Sequence, residues 1–179
     1  MNKLYLKEPT IEDKDNVIQM CKEFDSCNDD YKFEGTSNIR YVLENSYEKY
    51  LFKCEEDKNI ESINSNWSNA TNYLLVDENN NIYGCSQFRH HIKGNLVNVG
   101  GNFAYAIRPS ERGKGYGTLQ LKLLIEKAKN YGLNKVLITC RDNNIASKKT
   151  MQKFKGTPDT LVKSIYPDIM EYRYWINIK

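Results

Sequence analysis

No run of this 179-residue chain stays apolar for the ~20 residues that a membrane-spanning helix needs. Its first eight residues are too polar to read as a secretory signal. Neither charge sign dominates. Twenty-six basic against 23 acidic side chains leave a net charge of +3, too balanced to nominate nucleic acid or a membrane surface as partner. Among the five cysteines (Cys21, Cys27, Cys54, Cys85 and Cys140) no two stand in a Cys-x-x-Cys pair. An odd, scattered set reads as reduced thiols of a cytoplasmic protein, and no metal site is expected. Two nucleotide-binding signatures are also missing. No window satisfies the P-loop spacing Gly-x-x-x-x-Gly-Lys-[Ser/Thr], and none satisfies the dinucleotide fingerprint Gly-x-Gly-x-x-Gly. No internal repeat or linker interrupts the pattern, so one domain over residues 1–179 is expected.

What the chain does contain is a strand, a basic glycine turn and a helix start in immediate succession over residues 100–118. Phe103, Tyr105 and Ile107 alternate with smaller or polar residues, the period of a half-buried strand, and Pro109 ends that ladder for want of an N–H. Gly113, Gly115 and Gly117 follow at alternate positions, where a backbone without Cβ atoms can turn tightly and come close to a ligand. Leu121, Leu124, Ile125 and Ala128 then mark the buried stripe of a helix. Its first turn aims unpaired N–H groups and a positive dipole end at the glycines. Arg112 and Lys114 add full charges there. The combination suits an anion, above all a phosphate or pyrophosphate.

Around this stretch the pattern reads β-α-α-β-β-β-α-β-α-β-β. Leu4 and Leu6 open a short strand, and Thr10 with Asp13 forms a capping box. The helix it starts buries Val17, Met20, Cys21 and Phe24. A second helix, capped by Thr36 or Ser37, carries Ile39, Val42, Leu43, Tyr47 and Tyr50. Residues 53–71 read as a polar loop in which Trp67 either lines an acceptor pocket or makes a satellite core contact. Strands over 73–76, 82–88 and 96–108 predict an antiparallel meander. A helix over 117–131 crosses to a buried strand at 136–140, a βαβ unit whose two strands would lie parallel. Asp142 or Asn143 caps a further helix to about Phe154, and strands at 161–166 and 170–178 close the chain.

The turn resembles motif A of the GNAT superfamily of acyl-CoA-dependent N-acyltransferases, [Gln/Arg]-x-x-Gly-x-[Gly/Ala], with Arg112, Gly115 and Gly117 on its fixed positions. The element order is similar to that family's over nearly the whole chain. The resemblance implies an α/β (α+β) GNAT fold: a mixed, mostly antiparallel central sheet of about seven strands flanked by about four helices. It implies acetyl-CoA as co-substrate, its pyrophosphate held by Arg112, Gly113, Lys114, Gly115, Tyr116, Gly117 and Thr118. The pantetheine arm would lie between splayed strands at 104–107 and 137–140, with backbone N–H groups near Ile107 polarising the thioester carbonyl. Asn144, in Asn-Ile-Ala-Ser, would hydrogen-bond the pantetheine or serve as a plain N-cap. Ser147 or Lys148 would reach the phosphates, although Lys148 and Lys149 also fit a solvated helix face.

The implied reaction is direct attack by a primary amine of a small molecule or peptide on the acetyl thioester. Two departures bear on it. Met151 stands where the family often has a proton-donating tyrosine, and Lys155-Gly156 replaces the usual Gly-Phe. For the acid, Tyr166, Tyr172 and Tyr174 are candidates by sheet position. For the base, His90 or His91 titrates in the needed range, and adjacent strand residues face opposite ways, so at most one enters a cleft. Glu111 is a further candidate, or a cap or partner for Arg112. Asp25, Asp29, Asp30 and Glu34 either favour a cationic acceptor or form a solvated acidic loop. A non-catalytic acyl-CoA-binding module on the same scaffold is the alternative that Met151 keeps open. Either monomer or homodimer is compatible with the sequence.

Overall fold

A computed structural model describes residues 3–28, 33, 35–59, 68–164 and 168–178. The elements run β1 (Tyr5–Lys7), α1 (Lys14–Ser26), α2 (Tyr41–Glu44), α3 (Tyr47–Lys58), β2 (Ala70–Val76), β3 (Ile82–Arg89), β4 (Phe103–Ile107), α4 (Tyr116–Asn130), β5 (Lys135–Arg141), α5 (Ile145–Lys153), β6 (Thr157–Lys163) and β7 (Met170–Asn177). The strands pair as β1-β2-β3-β4 and as β5-β7-β6, and every ladder is antiparallel.

Strand alternation sorts two cores onto the two faces. Tyr73 and Leu75 of β2 join Phe88, Phe103, Leu121, Leu124, Ile138 and Met151 under α4 and α5. Leu74 and Val76 join Val17, Met20, Phe24, Tyr47, Tyr50 and Cys85 under α1–α3. Burying each large apolar side chain contributes about 1.5–3 kcal/mol. Four cysteines are buried and Cys27 is half-buried, all as free thiols.

Several boundaries differ from the sequence reading, each for a local reason. The single helix expected over 36–50 is broken at Asn45 (φ −135°, ψ −95°), and Ser46 recaps the chain by accepting from the Lys49 N–H. Leu43, expected on the buried stripe, is exposed. Past that break α3 runs on to Lys58, supported by Lys53–Asp57 and Lys58–Glu55 pairs. Trp67 lies outside the described residues. The strand expected from 96 begins only at Phe103, because Gly100 (φ 102°) and Gly101 (φ 61°) leave the extended path. The parallel pairing that the βαβ crossover predicts forms no ladder among the described residues. That same kink docks the base of β4 on β5, and the outer halves of the two strands stay apart.

The Thr10–Asp13 capping pair is present, and it does more than cap. Asp13 is fully buried and accepts from the Thr10 N–H (2.8 Å), Lys7 Nζ (2.8 Å) and Asn80 Nδ2 (2.9 Å). Burial alone pushes its carboxyl up, but the Lys7, Asn80 and Thr10 donors outweigh this and hold it below the usual carboxylate range. The unfolded chain therefore takes up this proton first as pH falls. The stabilisation is complete above the ordinary carboxylate pKa of about 4 and is lost as pH drops through the lowered folded value. We expect the difference in urea midpoint between wild type and Asp13→Asn to be constant from about pH 7 to 5 and to shrink below about pH 4. A difference already shrinking between pH 7 and 5 would contradict this assignment.

Candidate active site

The hydrogen-bond phase of β4 decides which of its backbone groups are spare. Arg108 N–H donates to Tyr83 (2.9 Å) and Arg89 N–H to Asn102 (2.7 Å). In register with Gly84↔Ile107 and Ser86↔Tyr105, this makes the even-numbered positions of β4 the ones bonded to β3. Tyr105 and Ile107 therefore turn their N–H and C=O groups the other way, toward β5. β4 and β5 are joined at the base: Gly101 bridges Ile138, Asn102 N–H donates to Leu137 O (2.7 Å) and Leu137 N–H to Asn102 Oδ1 (2.9 Å). Beyond that base lies a gap edged by the Tyr105 and Ile107 backbones.

The glycine turn stands at the open end of this gap. Arg108 ties it to α1 through Glu23, with Nε–Oε1 2.8 Å and Nη2–Oε1 2.5 Å, and the Ser110 hydroxyl donates to Glu23 Oε2 (2.8 Å). Arg108, then Ser110, holds the Glu23 carboxyl below its usual range. Arg112 donates to Ile107 O (3.3 Å), and its guanidinium lies 5.9 Å from the Phe24 ring centroid. Glu111 pairs with Lys114 (2.9 Å) rather than with Arg112. Gly113 (φ 77°) and Gly115 (φ 86°) need the left-handed conformation, and a Cβ on either would meet nothing within 4 Å. Gly117 is an ordinary helical residue whose added Cβ would rest 3.7 Å from Ile107. Two of the three glycines thus shape the turn, and the space above it is open. Tyr116 packs edge-on against Tyr83 (4.9 Å), and Thr118 Oγ1 accepts from Lys153 Nζ (3.5 Å).

Across the gap, the N-cap of α5 is Asn144, not Asp142 or Asn143, and its Oδ1 accepts from the Ser147 N–H (3.0 Å). Lys148 donates to Asp142 O and lies over the Tyr172 ring (4.4 Å). Met151 is fully buried in the core under α4 and α5. Tyr105 is half-buried, and its hydroxyl is sealed from solvent beside Ser147. Burial pushes that hydroxyl up to about 12, and the nearby Ser147 pulls it partway back.

The two histidines proposed for proton transfer lie at the end of α4 remote from the glycine turn. His90 stacks on Tyr131 (4.7 Å) and contacts Thr71 Oγ1 (2.9 Å). Tyr131 follows the last turn of the 15-residue α4, so His90 sits about 20 Å of helix axis away from the glycine turn. Burial, then His91, lowers its pKa. His91 contacts the Tyr131 hydroxyl (3.3 Å) at the same end. Tyr166 lies outside the described residues, as do Asp29, Asp30 and Glu34. Tyr174 is buried in the core.

Sequence reasoning missed three features. Asn102 pins β5 to β4. Gly35 presses on the Tyr105 peptide, with an ideal Cβ only 2.4 Å from its oxygen. On the α1–α3 face, buried Asp57 Oδ2 accepts from Asn38 (2.5 Å), Asn72 (3.2 Å) and Gln87 (3.2 Å). The only sequence signal for the last of these was Gln87, a polar residue inside the strand read over 82–88. Among the described residues no group of His, Cys, Asp and Glu could hold a metal ion.

Residues 3–157 match the family model described as an acetyltransferase (GNAT) domain. The fold is similar to that of the RimL ribosomal alpha-N-protein acetyltransferase in complex with coenzyme A, at 17% identity and TM-score 0.70, over 99% of this chain and 96% of that one. It is also similar to the microcin self-immunity acetyltransferase MccE in complex with acetyl-CoA and AMP (14%, TM-score 0.68, 99% and 94%). A third similar structure is a spermidine N-acetyltransferase SpeG chimera from Vibrio cholerae and hSSAT (13%, TM-score 0.67, 97% and 94%). Comparison with curated proteins gives no match.

Proposed function

The chain belongs to the GNAT family of acetyltransferases, and on that premise we propose that it transfers an acetyl group from acetyl-CoA to a primary amine of a small molecule or peptide, within a single domain. One observation carries the reading: two left-handed glycines with open space above them form the N-terminus of α4, beside a strand whose spare backbone groups face a gap. Such a turn presents N–H groups and a positive dipole end to an anion. Arg112, Gly113, Lys114, Gly115, Tyr116, Gly117 and Thr118 would hold the pyrophosphate, with Lys114 released from Glu111 to do so. Ile107 and Tyr105 offer N–H groups to an arm laid along β4. Asn144 uses its oxygen as a cap, which leaves its amide nitrogen to donate, and Ser147 adds a half-buried hydroxyl.

Acetyl-CoA, when bound, supplies an activated acyl group with a stable leaving thiolate. The chain's task is then to align it with a neutral amine, the entropic part of the rate, and to steady the carbonyl oxygen with strand N–H groups. His90 is engaged by Thr71 and Tyr131, so we assign removal of the ammonium proton to solvent. The similar structures include enzymes named for spermidine and for a ribosomal protein, which supports an acceptor class of amines without choosing among them.

Calorimetry with acetyl-CoA should show micromolar-range binding, followed by free-thiol release in a screen of polyamines, aminoglycosides, amino acids and short peptides. The absence of both heat and thermal shift with acetyl-CoA would sink the proposal. Binding without thiol release from any amine would favour the second reading, acyl-CoA sensing, which the buried Met151 supports.

A further inference from the structure

We propose that Gly35 sets the length of the acyl group that the β4–β5 gap accepts and holds it to acetyl. The inference rests on the donor site proposed above and names a specificity of that same site. The turn that carries Gly35 is fixed from two sides. Phe33 packs on Phe24 of α1 (5.9 Å) with Arg40 over its ring (5.6 Å), and the Thr36 hydroxyl donates back to Phe33 O (2.6 Å). Cys85 of β3 donates its thiol to Thr36 O (3.8 Å), and Thr36 itself is buried.

So held, Gly35 lies against the peptide of Tyr105. A β-carbon there would stand 2.4 Å from Tyr105 O, 3.0 Å from its carbonyl carbon and 3.4 Å from its nitrogen. These are the backbone groups that Tyr105 turns toward the gap. The phosphate turn marks the open end of the gap, beyond Ile107. A donor anchored at residues 112–118 thus advances along β4 from Ile107 toward Tyr105. Carbons beyond its thioester carbonyl meet the Gly35 backbone, which cannot rotate aside as a side chain can. Only a glycine fits at this point. Its φ of +74° adds a further cost for any other residue.

The test is a calorimetric series with CoA, acetyl-CoA, propionyl-CoA and butyryl-CoA on the wild-type protein. Acetyl-CoA should bind about as tightly as CoA, propionyl-CoA about ten-fold or more weakly, and butyryl-CoA more weakly still, the range that one unaccommodated methylene commands. Equal affinity across the series overturns the inference and leaves the proposed function standing. No binding by any member overturns the proposed function itself. Gly35→Ala must move the turn off Tyr105, so it should narrow the gap between propionyl-CoA and acetyl-CoA. A folded Gly35→Ala protein that keeps the full discrimination puts the wall elsewhere and refutes the assignment. Should the variant fail to fold, the wild-type series decides alone.

Discussion

Gly115→Glu is expected to weaken acetyl-CoA binding by more than about 100-fold, some 2.7 kcal/mol, while the protein still folds. The two effects separate because of where Gly115 sits. Its φ of 86° makes any side chain costly by about 1–2 kcal/mol. For a chain of this length that is a melting shift of about 2–8 °C. An added Cβ meets nothing within 4 Å, so there is no clash to propagate into the core. The side chain projects instead into the space where a pyrophosphate would meet the α4 N-terminus, and it brings a carboxylate to a site arranged for anions. Gly132→Glu is the matched control. Gly132 has φ 97°, also has nothing within 4 Å of an added Cβ, and lies just past the other end of α4. It should show a comparable melting shift and unchanged binding. Equal losses of binding in both variants would mean that strain, not occupancy of the turn, is responsible.

Asp57→Ala is expected to destabilise the fold by about 3–5 kcal/mol, because three buried donors lose one acceptor. Asn38 precedes α2, Asn72 is on β2, Gln87 is on β3, and Asp57 itself is on α3. One carboxylate oxygen therefore ties four segments of the α1–α3 face together, while Lys53 approaches the other oxygen at 3.3 Å. Removing it leaves amides that cannot reach water without opening the core. Urea denaturation should show the loss as a lower midpoint with an unchanged slope. Glu55→Ala, on the exposed side of the same helix, should melt near wild type. A loss under about 1 kcal/mol for Asp57→Ala would mean that the three amides find other partners.

How far the sequence carried can be judged from particular residues. The turn at 112–118 was legible because everything that makes it sits within ten consecutive residues, Arg112 to Leu121: glycines for positive φ, flanking cations, and the onset of a helical stripe. The capping pair Thr10–Asp13 and the end of the helix read over 117–131 were legible for the same reason. Asn45–Ser46 was not, because an unbroken apolar stripe from Ile39 to Tyr50 masks a local break that Ser46 repairs by capping. Position in the strand order alone did not locate His90. Its place in space follows from which end of α4 it packs on, through Phe88 and Tyr131.

By itself, then, the sequence determined the local conformations and the family: strand alternation, the anion-holding turn and the order of elements. Each depends on dihedral preferences and hydrogen bonds closed within a few residues. Only the tertiary structure decided that β4 and β5 meet at Asn102 and then part, that Asp57 gathers amides from three other segments, and that Gly35 stands on Tyr105 from 70 positions away. Contacts of that kind have no signature in spacing or composition. Which backbone edges stay unpaired, and what closes on them, is set by how the elements pack.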